Sequence, residues 1–330
     1  MASTSLGGIR SGTRSLAAAP KLAPPPPPPP PPTLVADVAV PFPERVLRSW
    51  NLAMFVFHTG LAATTLGLGN SDLTVPVFRT SLSFEVLVNG TYEAVTDDND
   101  PADPQAFRLW PYYEERGSLR LVQLTAAFFL LSALFHVLNA TVLWNFYRRM
   151  LLRCYTPTRW IEYAFSAPIM FVLIAYGLGM RSRGEFVAGV ALVATTMFFG
   201  FWVEREGRPA SPTEWSRPLW LRVYPWFLGH VPQVAAWLIL VLQFYDNGLD
   251  SRDVPDFVHA ILWSELVLFF SFGAASLLSQ LRTPAEFYQG ELLFQILSLL
   301  SKGLLGILLL SNVLMLQRFD ELYESEVTRS

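Results

Sequence analysis

The feature that most constrains this chain is the apolar run from Phe294 to Leu310, which carries Lys302 near its middle. A helix needs roughly 17 to 25 predominantly apolar residues to cross the hydrocarbon core of a bilayer, and this run reaches that length. An ammonium group at that depth costs about 2.5 to 3.5 kcal/mol on insertion scales. The run therefore predicts a membrane helix whose lysine is retained for a function.

Lysine is almost absent from the rest of the chain. It occurs as Lys21 in the N-terminal tail and as Lys302, against 22 arginines. An amine that loses its proton in an apolar site can act as a nucleophile toward an aldehyde, which a guanidinium cannot do. The other interpretation is a lysine that snorkels to an interface or pairs with a carboxylate.

Composition gives the broad class. The chain is 52% hydrophobic and only 15% charged, which is typical of a polytopic membrane protein rather than of a soluble domain. Cys154 is the single cysteine, so an internal disulfide is excluded. The four histidines form no His-x-x-x-His pair, which disfavours a zinc enzyme. We therefore expect no metal site, no enzymatic activity and no nucleic-acid partner.

Seven apolar segments predict an all-α membrane protein, a bundle of seven transmembrane helices. The predicted spans cover residues 46–69, 120–147, 156–180, 185–203, 223–245, 257–281 and 286–317. The bundle is expected to occupy residues 44–317, followed by an acidic C-terminal tail over 318–330.

The N-terminal tail, residues 1–43, is rich in Ser, Ala and Pro and includes nine consecutive prolines from Pro24 to Pro32. Such a run adopts an extended polyproline II conformation. The tail is either a targeting peptide or a disordered cytoplasmic segment, since both have this composition.

A β-hairpin is predicted in the long loop after the first span. Residues 81–88 and 91–95 alternate between polar and apolar side chains on either side of Asn89-Gly90, which is typical of a two-residue type I′ turn. The loop is strongly acidic, and Asn89-Gly90-Thr91 is also a glycosylation sequon.

The distribution of arginine beside the spans predicts the orientation. Most of these arginines, including the group at 148, 149 and 153, fall on the cytoplasmic side if the N-terminus is cytoplasmic. The acidic hairpin loop and the C-terminus then lie on the extracellular or lumenal side. Arg181 and Arg183 oppose this rule but are outnumbered.

Three groups of residues connect the chain to a known family. These are the segment Arg159-Trp160-Ile161-Glu162-Tyr163 at the start of span three, the segment Ser298 to Lys302 in span seven, and the two histidines His58 and His136 in spans one and two. In these features and in its inverted topology, the region over residues 44–317 resembles the heliorhodopsins.

The resemblance implies a light-sensing protein with a slow photocycle. All-trans-retinal would be bound to Lys302 as a protonated Schiff base, with Ser298 nearby and Glu162 as the counterion. His58 and His136 would belong to a polar cavity on the cytoplasmic side of the chromophore. The resemblance also implies a homodimer in the bilayer, with the first outside loop at the interface.

The chemistry of the site supports Glu162 independently. A cation in a low-dielectric pocket needs an anion nearby, and Glu162 is the acid within the apolar length of span three. The alternative is pairing with Arg159 or Tyr163 at the interface. Glu162 lies near the start of its span whereas Lys302 lies deep in span seven, so helix three must begin inside the membrane or helix seven must extend beyond it.

An elongated apolar ligand also needs a slot of aromatic and aliphatic side chains. Trp237 in span five and Trp263, Phe269, Phe270 and Phe272 in span six are the candidates. Each of them could equally be an ordinary packing residue or a ring that faces lipid.

Span six departs from the heliorhodopsin pattern, because Phe269-Phe270-Ser271-Phe272 is followed by Gly273-Ala274 rather than by Asn-Gln. The chain also places Glu265 in span six and Glu291 at the start of span seven. Buried acids are costly and suggest a role in carrying protons. The alternatives are a solvated Glu291 at a helix start and a Glu265 that faces a dimer interface.

Three functions from different classes remain open at this stage. The first is a photoreceptor that signals to an unknown partner, and the second is a light-gated or light-driven proton transporter that uses Glu265 and Glu291. The third is a non-photochemical transporter with Lys302 and Glu162 as a substrate-binding ion pair.

Overall fold

A computed structural model of the chain describes residues 38–88, 91–94, 107–248 and 255–315. The proline run, the Asn89-Gly90 turn with its sequon, and the tail over 318–330 lie outside these residues. The last residues of the predicted N-terminal tail are described: Val40 is buried and its amide donates to the Leu152 carbonyl at 2.8 Å.

Helices make up most of the described chain. They are α1 (Glu44–Leu68), α2 (Leu121–Ala140), α3 (Trp144–Leu151), α4 (Pro157–Gly177), α5 (Arg183–Glu206), α6 (Leu219–Asp246), α7 (Asp256–Leu281) and α8 (Phe287–Leu309). A 3-10 turn over Pro284–Glu286 precedes α8 and a π-helical turn over Leu310–Leu314 follows it.

Seven of the described helices are long and apolar enough to cross a membrane, namely all except α3. The predicted seven-helix membrane bundle is therefore confirmed, with helix ends that agree within a few residues except at α2. Helix α8 and its flanking turns form the last of these spans, Pro284–Leu314.

The two ends of the bundle have different coverings. At one end, here called the sheet end, the Phe78 amide donates to the Arg181 carbonyl at 2.9 Å and the Asn70 amide donates to the Leu314 carbonyl at 2.6 Å. At the other end, the α3 end, Leu47 and Phe287 pack in one apolar cluster with residues of α3. Helices α1, α4, α6 and α8 run from the α3 end to the sheet end, and α2, α5 and α7 run back.

The predicted second span is interrupted in the structure. Helix α2 ends at Ala140, and α3 starts only at Trp144. The Thr141 hydroxyl donates to the Val137 carbonyl at 2.6 Å, a local bond that competes with continued helix. The Ala140 carbonyl, which the break leaves without a helical partner, accepts from Arg48 Nε at 2.9 Å. Both contacts stabilise the end of α2.

The predicted β-hairpin is present, as one part of a larger sheet. Strand β1 (Thr74–Val88) pairs antiparallel with β2 (Thr91–Ala94), and Val88 faces Thr91 across a two-residue connection. A third strand, β3 (Phe107–Arg120), pairs along the other edge of β1, which gives the order β2-β1-β3. Strand β3 was not predicted from the sequence; it contains Pro111, which an edge strand tolerates.

The main apolar core lies between Lys302 and the sheet end. It is built from residues of all seven spanning helices, with Val75 and Val77 of β1 beneath it. Close helix contacts depend on glycine in places: a Cβ on Gly306 of α8 would overlap the Phe129 ring of α2. This packing fixes the height of α8 relative to α2 and thereby the position of Lys302.

Candidate functional site

Lys302 and Glu162 meet inside the bundle, as the sequence analysis expects for an ion pair. The Lys302 ammonium donates to Glu162 Oε1 at 2.5 Å and to Ser132 Oγ at 2.6 Å. Ser132 lies 2.7 Å from the same carboxylate oxygen. Lys302 and Glu162 are 3% and 5% exposed, so solvent screens their interaction little. The alternative pairing of Glu162 with Arg159 is excluded by this geometry.

The difference in depth between the two helices is resolved by where α4 begins. Glu162 follows the start of α4 by five residues, about 8 Å, whereas Lys302 follows the start of α8 by 15 residues, about 22 Å. The first residues of α4, Pro157 and Thr158, are already buried. Helix α4 thus starts inside the bundle, beneath α3, and this brings Glu162 to the level of the lysine.

Ser132 is a site residue that the sequence analysis missed. It lies on α2 one turn before His136, so the two side chains share a helix face. That spacing is the one signal in the sequence that points to it. Tyr163, next to Glu162, presents its ring 5.2 Å from the Lys302 nitrogen.

The two predicted histidines are neighbours. The rings of His58 and His136 stack with their centroids 5.5 Å apart, and His136 Nδ1 lies 2.9 Å from Asn51 Oδ1. Both nitrogens of His58 are buried and have no hydrogen-bond partner among the described residues. The pair therefore forms a polar pocket between α1 and α2, beside Ser132.

A second buried charged cluster lies toward the α3 end. Arg159 donates to Glu204 and to Glu291, and all three side chains are at most 6% exposed. The Tyr147 hydroxyl of α3 donates to Glu291 at 2.8 Å. The Thr156 amide and hydroxyl both donate to Glu204 at 2.9 Å. This cluster ties α3, α4, α5 and α8 together.

Glu291 is a member of this buried charged cluster, which the sequence analysis did not predict. It is 3% exposed and bound by Arg159, so a solvated Glu291 at the helix start is excluded. Glu204 was not singled out in the sequence analysis, because it lies at the end of span four, where an acid is usually at the membrane surface.

Glu265 is fully buried and contacts the residue that precedes Lys302. Ser301, the residue before Lys302, donates to Glu265 Oε2 at 2.6 Å, and Oε1 has no partner among the described residues. Glu265 is 0% exposed within the single chain, so the alternative that it faces a dimer interface is wrong.

An elongated cavity extends from Lys302 between α4, α5, α6 and α7. It encloses about 790 Å³ of empty space, part of it open to the outside of the bundle. Its walls are mostly apolar and aromatic. Lining residues include Ser298 and Lys302 of α8, Trp160, Tyr163 and Met170 of α4, Phe199 and Gly200 of α5, Trp226, His230 and Gln233 of α6, and Phe269, Phe270 and Phe272 of α7.

The predicted aromatic residues divide into two groups. Phe269, Phe270 and Phe272 line the cavity, whereas Trp237 supports it from behind through a ring contact with Phe269 at 5.2 Å. Trp263 is 42% exposed and lies outside the lining, so its proposed place in the slot is not supported. Helix α7 is apolar on all faces, and its sequence therefore could not separate inward from outward rings.

The fold is shared with solved microbial rhodopsins. A light-driven proton pump from Leptosphaeria maculans is 13% identical, with a TM-score of 0.52 over 83% of this chain and 97% of the other. The proton-pumping rhodopsin AR2 from the alga Acetabularia acetabulum is 12% identical, with the same TM-score over 89% of this chain and 100% of the other. At these identities the likeness concerns the fold alone.

No curated protein matches the chain. The family model of the heliorhodopsins matches residues 47–314, which include all seven spans and every site residue described above. The chain belongs to the heliorhodopsin family.

Proposed function

We propose that the protein is a light sensor in which Lys302 carries all-trans-retinal as a protonated Schiff base, with Glu162 as counterion and a slow photocycle. Membership of the heliorhodopsin family implies a retinal chromophore and a photoreceptor rather than an enzyme. The observation that supports the finer proposal is the 2.5 Å contact between Lys302 Nζ and Glu162 Oε1. In the structure Nζ belongs to the free amine, and it stands for the nitrogen of the Schiff base.

The residues around Lys302 fit this chromophore. The amine lies at a cavity whose aromatic and aliphatic walls suit a polyene. Retinal supplies the absorption of visible light when it is bound. The chain supplies the amine, the anion that offsets the positive charge, and the apolar walls that exclude water from the pair.

Ser132 has a positioning role in this proposal. Its hydroxyl contacts both Lys302 Nζ and Glu162 Oε1, and it therefore fixes their relative orientation. His58 and His136 lie beside it on the α3 side and can accept a proton after light absorption. Reorganisation of a buried polar network is a reasonable source of a slow photocycle, because several hydrogen bonds must be exchanged together.

The attachment residue is tested by adding retinal to the purified chain. Lys302→Arg keeps the positive charge but cannot form the imine, so we expect no visible pigment. Lys21→Arg changes the chain's other lysine and should leave the pigment intact. A visible pigment in Lys302→Arg would contradict the proposal. If the parent chain forms no pigment, the result favours the non-photochemical transporter.

Glu265 supports a second candidate function, light-dependent proton transport. It is a fully buried carboxyl group, hydrogen-bonded to Ser301, the residue before Lys302. Both solved structures named above are described as proton pumps. Glu291, on the α3 side, is the less suitable carrier of the two because Arg159 holds it in an ion pair.

Photocurrents in voltage-clamped cells distinguish the two candidates. Proton transport through Glu265 predicts a light-dependent current that follows the proton gradient and is abolished in Glu265→Gln. Glu185→Gln, an exposed acid at the start of α5, is the matched control and should conduct as the parent does. If the parent shows no light-dependent current, the result favours the signalling photoreceptor.

We further propose a homodimer in the bilayer, with the N-terminus cytoplasmic and the sheet on the opposite side. One face of the sheet exposes four large apolar or aromatic side chains in the chain considered alone: Leu82, Phe84, Leu109 and Tyr113. Such a patch is typical of an interface. Antibody access to a C-terminal epitope but not to an N-terminal one on intact cells would support the orientation.

A further inference from the structure

The cavity has a polar patch on α6 that an unsubstituted retinal leaves unused. His230 and Gln233 both line it and, at three residues apart, lie on one face of the helix. Gln233 is 5% exposed, and its Oε1 atom has no hydrogen-bond partner among the described residues. A buried acceptor without a donor costs about 1 to 3 kcal/mol, so a ligand that satisfies it is favoured.

The hydrogen bonds of His230 define what this patch can recognise. Its Nδ1 atom lies 2.8 Å from the Trp226 carbonyl oxygen, and a carbonyl oxygen can only accept. Nδ1 therefore carries the proton, and in the neutral ring Nε2 is an acceptor. Nε2 faces Gly273, where a Cβ would crowd it. The patch thus offers two acceptors, His230 Nε2 and Gln233 Oε1.

The patch and Lys302 lie on helices that are not close neighbours in the bundle. Helix α8 packs against α7 and α1, whereas α6 packs against α5 and α7, so the α6 wall is across the bundle from the lysine. The aldehyde and the ring of retinal are at opposite ends of a rigid polyene. With the aldehyde end at Lys302, the ring end is the part of the ligand that is directed toward α6.

We infer that the site prefers a retinal whose ring bears a hydroxyl group, with that hydroxyl donating to Gln233 or His230. The inference rests on the proposed attachment at Lys302. A hydroxyl group fits better than a keto oxygen, because only the hydroxyl donates.

Competition among three aldehydes tests this inference. The full-length chain is given equal mixtures of retinal with 3-hydroxyretinal, and of retinal with 4-oxoretinal, and the bound aldehydes are extracted and quantified. One added hydrogen bond corresponds to a preference of about fivefold to tenfold for the hydroxylated form. The keto form, which can only accept, should show a smaller preference over retinal than the hydroxylated form does.

Variants of α6 locate the preference. Gln233→Leu and His230→Phe should each lower the ratio of bound 3-hydroxyretinal to retinal toward one. His259→Phe, a histidine of α7 that does not line the cavity, is the matched control and should keep the ratio of the parent. The ratio is independent of the yield of pigment, so a partly unstable variant still gives an answer.

The outcomes separate this inference from the proposed function. Equal uptake of retinal and 3-hydroxyretinal by the parent, or a preference that both α6 variants retain, overturns the inference and leaves the attachment at Lys302 untouched. Failure to form a pigment with any of the three aldehydes overturns the proposed function and the inference together.

Discussion

The two halves of the bundle on either side of Lys302 differ in what they bury. Between Lys302 and the α3 end lie the histidine pair and the cluster of Arg159, Glu204 and Glu291. Between Lys302 and the sheet end the interior is apolar, and the buried acid Glu265 lies at its edge, beside Ser301.

This difference suggests how the response to light can be confined to the half of the bundle toward the α3 end. Hydrogen-bonded charges can exchange partners and protons, whereas a close-packed apolar core has no groups that hold a proton. Among the described residues, a proton released near Lys302 thus has several acceptors toward the α3 end, whereas Glu265, beside Ser301, is the buried acid at the edge of the apolar half. The polar half is suited to signalling. In the part of the chain that the structure describes, proton transport through the apolar half depends on Glu265 alone and stays a hypothesis.

The largest effect is expected from breaking the charged cluster. Arg159→Leu leaves Glu204 and Glu291 buried without their cation, which should lower the free energy of unfolding by about 3 to 5 kcal/mol. Thermal bleaching of the pigment in detergent measures it. Arg149→Leu, an exposed arginine on α3, is the control and should have little effect. Equal stability of the two variants would contradict a structural role for the cluster.

A cavity in the apolar half should have a somewhat smaller effect. Leu305 is 0% exposed in the core of that half, and Leu305→Ala should cost about 3 kcal/mol through lost contacts and the space left behind. The same bleaching assay applies, with the exposed Leu304→Ala as control. If Leu305→Ala also altered the photocycle as strongly as Arg159→Leu, the functional contrast between the halves would be wrong.

Removing one hydroxyl group at the boundary between the halves should have a moderate effect. Ser132→Ala deletes the hydroxyl group that contacts both Lys302 and Glu162. The partners left unsatisfied should lower the free energy of unfolding by about 1 to 3 kcal/mol. We expect a shifted absorption maximum and faster thermal bleaching. Ser264→Ala, at a half-buried position on α7 outside the cavity lining, should leave both unchanged. An unshifted spectrum in Ser132→Ala would remove it from the site.

The smallest expected signal is the reaction of Cys154 with a maleimide, which tests whether the α3 end is sealed. Burial, aided by the nearby Glu204 carboxylate, raises the pKa of the Cys154 thiol to about 12. At pH 8 only about one thiol in ten thousand is then the reactive thiolate, so the folded protein should label very slowly. Labelling should rise with pH and become rapid after unfolding. Fast labelling of the folded protein at pH 8 would mean that water enters this end.

The features that the sequence analysis predicted well depend on local pattern. Span length and apolar content gave the seven helices, and alternation around Asn89-Gly90 gave the β1–β2 hairpin. Lys302 and Glu162 stood out because a charge inside an apolar span is rare. The features it missed depend on partners distant in the chain: β3 pairs with β1 across a long loop, and Ser132 acts only beside Glu162.

The sequence by itself determined that this chain is a membrane bundle with a lysine and an acid in its interior, because hydrophobic length and buried charge can be read from neighbouring residues. Only the tertiary structure decided that Glu162 pairs with Lys302 rather than with Arg159, and that Arg159 binds Glu204 and Glu291 instead. Glu162 lies 140 positions before Lys302, and Arg159 binds Glu291 across 132. Such contacts depend on the positions of α4 and α8 along the bundle. These positions follow from the packing of whole helices, and no local sequence pattern specifies that packing.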